Sequence, residues 1–206
     1  MIKVLDREKY HQILAQYLPE KALDYVVSLL EQHPLHLKIT RERLTKHGDF
    51  RSGLGRQPVI SINHNLNPYA FLITLLHEMA HYKVYKKYTR RRKPHGQEWK
   101  TMFRDLMIPM LDQRIFPETL HNIMVEHMKN PKASSSSDPT LAKALKQYDT
   151  SNGTQLLNDL KTDDYFEFKG KVFKLGSKKR TRYMCHEVKT NRDYLINQLA
   201  EVHKIK

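Results

Sequence analysis

The sequence predicts an α+β protein: a mainly helical part with a small sheet, followed by a small antiparallel β-rich module. Three observations point there. Apolar residues recur at three- and four-residue spacing through much of residues 7–129. Aromatic and β-branched residues gather in short runs between turn signals after residue 164. Between these regions the stretch Asn130-Pro131-Lys132-Ala133-Ser134-Ser135-Ser136-Ser137-Asp138-Pro139 offers almost nothing to bury. The expected divisions are a domain at 1–130, a linker with a short helix at 131–148, and the β-rich module at 149–206.

The elements follow in order. Leu14, Tyr17 and Leu18, then Leu23, Val26, Val27 and Leu30, give a helical rhythm over 7–31. Strands are expected at 35–39 and 59–62, around a polar turn region holding Gly48, Gly53 and Gly55. Asn67 is a good N-cap and Pro68 suits the first helical position. From there Phe71, Leu72, Leu75, Leu76, Met79, Ala80 and Val84 mark a helix that buries one face. A second long helix starts near Gln97, with Trp99, Phe103, Leu106 and Met107 in phase, and a shorter one spans 117–129. Short helices are expected at 141–148 and 155–160. Strands follow at 165–168, 172–175, 182–188 and 194–196, with Lys169-Gly170 turning between the first two.

Inside the first long helix stands His77-Glu78-Met79-Ala80-His81, an H-E-x-x-H sequence. Two histidines four apart lie about 40° apart around a helix axis and one turn along it, so both imidazoles reach one ion. Glu78 projects beside that ion, where a carboxylate serves as general base towards a water rather than as a ligand. With 12 histidines in 206 residues, composition alone yields only about 0.04 such motifs. Packing alone is therefore a poor explanation.

A catalytic zinc takes three protein ligands and keeps one position open. His95 lies fourteen residues beyond His81, in Pro94-His95-Gly96, a sequence suited to a tight loop. Glu98 is the rival third ligand, since a downstream carboxylate fills that role in other zinc hydrolases. Trp99 reads as a packing residue.

These residues resemble the SprT-like metalloprotease family, which includes the Spartan proteases of DNA–protein crosslinks. The similarity rests on His77-Glu78-Met79-Ala80-His81, on His95-Gly96-Gln97-Glu98-Trp99, on Asn63 in Val59-Ile60-Ser61-Ile62-Asn63, and on Gly53-Leu54-Gly55. It covers roughly residues 1–130. The resemblance implies a zincin-like domain, one catalytic Zn2+ held by His77, His81 and His95, and Glu78 as general base. It also implies protein substrates attached to or near DNA, and hence a part in DNA repair. Many such chains end in a zinc ribbon built on two cysteine pairs. The segment from Tyr165 to Cys185 is similar in pattern, but Cys185 is the single cysteine. One thiolate beside His186 does not make a four-ligand site, so a metal-free module of ribbon shape with a buried thiol is expected.

The formal net charge is +14, and the cations are clustered. Lys86, Lys87, Arg90, Arg91 and Arg92 lie between the second and third histidines, and Lys178, Lys179, Arg180 and Arg182 lie in the β-rich module. Such clusters bind phosphate backbones without sequence preference. Tyr165, Phe166, Phe168, Phe173 and Tyr183 are interleaved with the second group, which favours single strands if the rings are free to stack and a core if they are not. No window is apolar enough for a membrane span, no signal peptide is seen, and a lone cysteine suits a reducing cytoplasm, with association to the nucleoid.

The expected function is zinc-dependent cleavage of proteins bound or crosslinked to DNA. Two alternatives stand beside it: a DNA-binding protein with a structural or non-catalytic zinc, and a zinc peptidase indifferent to DNA.

Overall fold

The computed structural model describes residues 7–43, 46–53, 56–90, 92–134, 137–149 and 153–205. The chain forms two compact units, residues 1–149 and 150–206. Among the described residues there are six α-helices and two sheets, one of three strands and one of six, so the fold is mixed α+β. No helix among these residues is long and apolar enough to cross a membrane.

The first unit opens with α1 (Arg7–Leu14) and α2 (Leu23–Glu31). The single helical rhythm read over 7–31 is broken by Pro19, which precedes a short 3-10 turn at Glu20–Ala22. The sheet contains β1 (His36–Thr40), β2 (Gly48–Gly53) and β3 (Arg56–Asn63), in the order β1-β3-β2. β1 runs parallel to β3, with Leu37 opposite Ile60, and β2 runs antiparallel, with Phe50 opposite Ile60. β2 corrects the expectation of a polar turn between two strands. Asp49, Arg51 and Ser52 point to a loop by composition, yet Phe50 packs towards the core while its polar neighbours face outward. Leu54 and Gly55 lie outside the described residues.

The sheet carries α3 (Pro68–Lys87), which is buried on nearly every side, and α4 (Gln97–Asp112) packs beside it. α5 (Glu118–Lys129) and α6 (Pro139–Lys146) complete the unit. The start of α3 is fixed as its sequence suggests: the Asn67 side chain accepts from the Ala70 N–H at 2.9 Å, and Pro68 occupies the first turn. The same amide donates to the Leu145 carbonyl at 2.9 Å and to the Asp149 carboxylate at 2.6 Å. The stretch expected as a linker therefore holds a helix whose Leu141, Ala144 and Leu145 join the core of the first unit. Ser135 and Ser136 lie outside the described residues.

The second unit is an antiparallel sheet ordered β4-β9-β5-β6-β7-β8. Its strands are β4 (Gln155–Leu156), β5 (Tyr165–Phe168), β6 (Lys171–Lys179), β7 (Arg182–Glu187), β8 (Arg192–Asn197) and β9 (Glu201–Ile205). Lys169 and Gly170, at φ 53° and 73°, form the two-residue turn between β5 and β6. Positive φ at both positions matches the twist of a hairpin. The helix expected at 155–160 is instead β4, paired with β9, followed by a 3-10 turn at Leu157–Asp159 that places Leu157 in the core. β9, unforeseen in the sequence, lies between β4 and β5 and buries Val202.

Candidate metal centre

α3 is one helical cylinder with two tasks. Its apolar residues hold it between sheet and helices, and His77, Glu78 and His81 emerge where the packing opens. A sharp loop after Lys87 brings His95 back to the same point. His95 has φ 55°, a left-handed conformation that costs a non-glycine residue about 1–3 kcal/mol and is retained only where surroundings impose it. Here α4 begins immediately afterwards, with Gly96 as its N-cap, and Trp99 one turn in packs 4.8 Å from the His95 ring.

The three Nε2 atoms form a nearly equilateral triangle. His77 to His95 is 3.1 Å, His77 to His81 is 3.2 Å, and His81 to His95 is 3.0 Å. Nitrogens bound to zinc at 2.0–2.1 Å in a tetrahedron stand about 3.3–3.4 Å apart. The triangle thus fits one ion on three imidazoles with a fourth position open. Among the described residues this is the one group of three or more His, Cys, Asp or Glu side chains close enough to bind a metal ion. Glu98, the rival ligand, meets Arg92 instead, Oε1 to Nη1 at 3.4 Å.

Protonation matches that use. Burial pushes the His77 imidazole down to about 2, helped by His81, His95 and His127, and His81 falls to about 4 by burial and the nearness of His95. Burial also lowers His95. All three therefore present free lone pairs at neutral pH, the form a metal requires.

Trp99 is more than the packing residue its sequence context suggests. Its ring lies 4.6 Å from His77, 4.8 Å from His95 and 5.6 Å from His81, and Nε1 donates to the His77 carbonyl at 3.3 Å. Phe103 stacks on the indole at 5.0 Å and also meets His77 edge-on at 5.7 Å. One rigid aromatic slab thereby limits the swing of all three imidazoles. Nothing in the sequence distinguishes such a tryptophan from a core residue.

Glu78 is only 7% exposed. Burial and the Asp49 charge raise its carboxyl to about 8, against the Phe50 N–H, which donates to it, and the cations Arg43 and Lys46. A cation held by the triad would favour the ionised form. β2 presses directly on this side chain. A Cβ added to Gly48 would stand 2.6 Å from Thr74 Cγ2, 2.9 Å from Glu78 Oε1 and 3.0 Å from Glu78 Cγ. Gly48 and Phe50 are thus parts of the site that the turn reading concealed. Behind the sheet, Arg43 fixes the approach to β2, its Nε donating to Asn63 Oδ1 at 2.8 Å and Nη1 to Ser61 Oγ at 2.9 Å. Asn63 in turn donates to the carbonyls of Arg43 and Lys46.

The expected nucleic-acid residues are found at the surface. Lys86 and Lys87 are exposed in the last turn of α3, and Arg90 and Arg92 are exposed in the loop leading to His95. Arg92 stacks on Tyr88 with its guanidinium 4.7 Å from the ring centroid. Arg91 lies outside the described residues. In the second unit Lys178, Lys179, Arg180 and Arg182 are exposed on the β6–β7 hairpin. Of the aromatics interleaved there, Phe166 and Phe173 are buried at 0% and 4%, whereas Tyr165 is 45% exposed. Cys185 is fully buried, and burial drives its thiol up to about 11.

No curated protein and no solved structure matches the chain. The SprT-like family model does match, over residues 30–121, a span that holds the whole sheet of the first unit, α3, the third histidine and α4. Over residues 30–121 the unit carrying the three-histidine centre is similar to the SprT-like family.

Proposed function

We propose that the protein is a zinc-dependent metallopeptidase of zincin-like fold that cleaves proteins bound or crosslinked to DNA. In this reading the catalytic domain read at 1–130 is completed by the helix within 131–148, and 149–206 are a basic module. The observation that carries it is the triangle of imidazole nitrogens, 3.0–3.2 Å on a side, with a buried carboxylate on the residue next to His77. A purely structural site has no need of that carboxylate.

His77, His81 and His95 hold the ion. A zinc bound there supplies a Lewis acid that polarises a peptide carbonyl and makes a water acidic enough to lose its proton near neutral pH. Glu78 takes the proton from the attacking water and then delivers it to the departing amine. The Phe50 N–H and the close wall at Gly48 hold the carboxylate in place for both transfers. β2 is the edge strand on the Glu78 side of the sheet, so an extended substrate segment that pairs with this edge runs beside the base.

DNA enters through charge. The formal net charge of +14 includes Lys86, Lys87, Arg90, Arg91 and Arg92 on the approach to His95, and Lys178, Lys179, Arg180 and Arg182 in the second unit. Contacts from these groups are to phosphates, hence indifferent to sequence and sensitive to salt. Work on DNA-bound proteins suits a cytoplasmic protein that associates with the nucleoid.

The test is cleavage of a DNA-binding protein by the zinc-loaded enzyme, with and without single-stranded DNA. Faster cleavage with DNA is expected. Equal rates would leave a zinc peptidase indifferent to DNA, and binding without cleavage would leave a DNA-binding protein with a non-catalytic metal.

A further inference from the structure

α3 runs on past its last histidine to Lys87, and on that extension Tyr85 is 46% exposed, the one exposed aromatic side chain among the described residues of the first unit. It stands seven residues beyond Glu78 and four beyond His81, so all three lie along one face of the helix. The Tyr85 ring meets the Phe50 ring with centroids 5.8 Å apart, tilted by 55°. Phe50 in turn rests edge-on against the buried Tyr82 at 6.1 Å. Since Phe50 is only half-buried, the two rings offer a joint apolar surface with Tyr82 as its floor.

A lone exposed ring on a helix is ordinary. This one is set apart by its partner, because the Phe50 N–H donates to the Glu78 carboxylate. In an antiparallel pair the N–H and C=O of one residue point to the same side, so the Phe50 carbonyl also turns away from β3, towards the free edge of β2. There it can accept from an incoming strand. Such a strand turns every second side chain to the α3 side, and two of its residues span about 6.7 Å. Gly48 and Phe50 are likewise two apart on β2, Gly48 against Glu78 and Phe50 against Tyr85. When one substrate side chain lies level with Gly48 and the base, the next on that side lies level with Phe50 and Tyr85.

We infer that Phe50 and Tyr85 form a subsite for an aromatic or large aliphatic side chain of the protein substrate, within two residues of the bond that is cut. The inference rests on the peptidase reading proposed above and names a substrate preference of that same site. Neither ring carries a charge, so removal of apolar area from water drives the contact, and an aromatic side chain gains further from tilted packing on Tyr85. A small or charged side chain at that position leaves the rings wet.

The experiment digests a peptide library with the zinc-loaded full chain, single-stranded DNA present, and reads the cut positions by mass spectrometry. Phe, Tyr, Leu and Met are expected to be enriched at one position, on one side of the cut bond. Two peptides that differ only by Phe or Ala at that position are then compared on the native protein, Tyr85→Ala and Tyr85→Phe, with thermal melting to verify folding. The ratio of kcat/KM for the Phe peptide over the Ala peptide is expected to fall about tenfold in Tyr85→Ala and to be kept in Tyr85→Phe. Binding of the same two peptides to the Glu78→Gln chain, followed by fluorescence anisotropy, gives a readout without turnover. There the Phe peptide is expected to bind about tenfold more tightly than the Ala peptide, and adding Tyr85→Ala is expected to abolish the difference. An unselective cut pattern, or a preference that survives Tyr85→Ala, overturns the subsite and leaves the peptidase reading intact. Absence of any cleavage by the native chain overturns both.

Discussion

Replacing Gly48 by alanine separates the site's support from its chemistry. The new methyl would sit 2.6 Å from Thr74 Cγ2, a distance that side-chain carbons do not tolerate, and 2.9–3.0 Å from two atoms of Glu78. Thr74 has little room to retreat: it is 6% exposed and its hydroxyl donates to the Ala70 carbonyl at 2.7 Å. Overpacking of this kind costs about 1–3 kcal/mol. For a domain of this size each kcal/mol lowers Tm by about 2–4 °C. Glu78 must shift as well, and a misplacement on the order of 1 Å costs about a hundredfold in rate. Zinc affinity should be unchanged, because the added methyl meets Glu78 and Thr74 and none of the three histidines. Adding Thr74→Ser removes Cγ2 but keeps the hydroxyl, so the double variant should regain most of the stability and little of the activity. Thermal unfolding, zinc titration and kcat/KM on one peptide substrate measure the three quantities. A Gly48→Ala protein with native stability and activity would refute the claim that β2 braces the general base.

Trp99→Phe removes the hydrogen bond to the His77 carbonyl and part of the slab behind all three imidazoles; zinc affinity, measured by competition with a chromophoric chelator, should fall about tenfold. Asn67→Ala deletes the cap of α3 and the bonds to Leu145 and Asp149, and should lower unfolding free energy by about 1–2 kcal/mol in denaturant titrations. Metal-free protein should lose stability as pH falls below about 6.5. His77 is held neutral in the fold, down to about 2, so the unfolded chain binds the extra proton, and this group alone contributes up to about 1.4 kcal/mol per pH unit. Thermal melts between pH 7 and 5, compared with His77→Gln, measure that slope.

The three-histidine cluster was legible because binding a metal ion demands a spacing. His77 and His81 meet one ion only when four apart on a helix, and Asn67-Pro68 announces where that helix starts. His95 was legible for a different reason: proline and glycine flank it, and the tight loop returns it to within 3.1 Å of His77. The support around these residues was not legible. β2 hides because an edge strand needs one apolar face, and Phe50 supplies it alone between Asp49 and Arg51. Gly48 reads as a turn former until Thr74 and Glu78 are seen against it. Trp99 carries no local mark of touching three histidines from separate parts of the chain. In the second unit, period-two aromatics located the strands, but Leu156-Leu157 fits a helix as well as a strand end, and only pairing with β9 decides it. That partner lies more than forty residues away, beyond the reach of local pattern.

The most direct test of the account is the cleavage rate of zinc-loaded Glu78→Gln beside the native enzyme, with metal content determined on the same samples. The glutamine keeps the shape of the side chain and removes its basicity. One zinc per chain in both proteins, with a rate at least about a hundredfold lower in the variant, is the predicted result. Equal rates would show that Glu78 is not the base, and loss of zinc from the variant would make Glu78 a ligand, contradicting a centre built on three histidines alone.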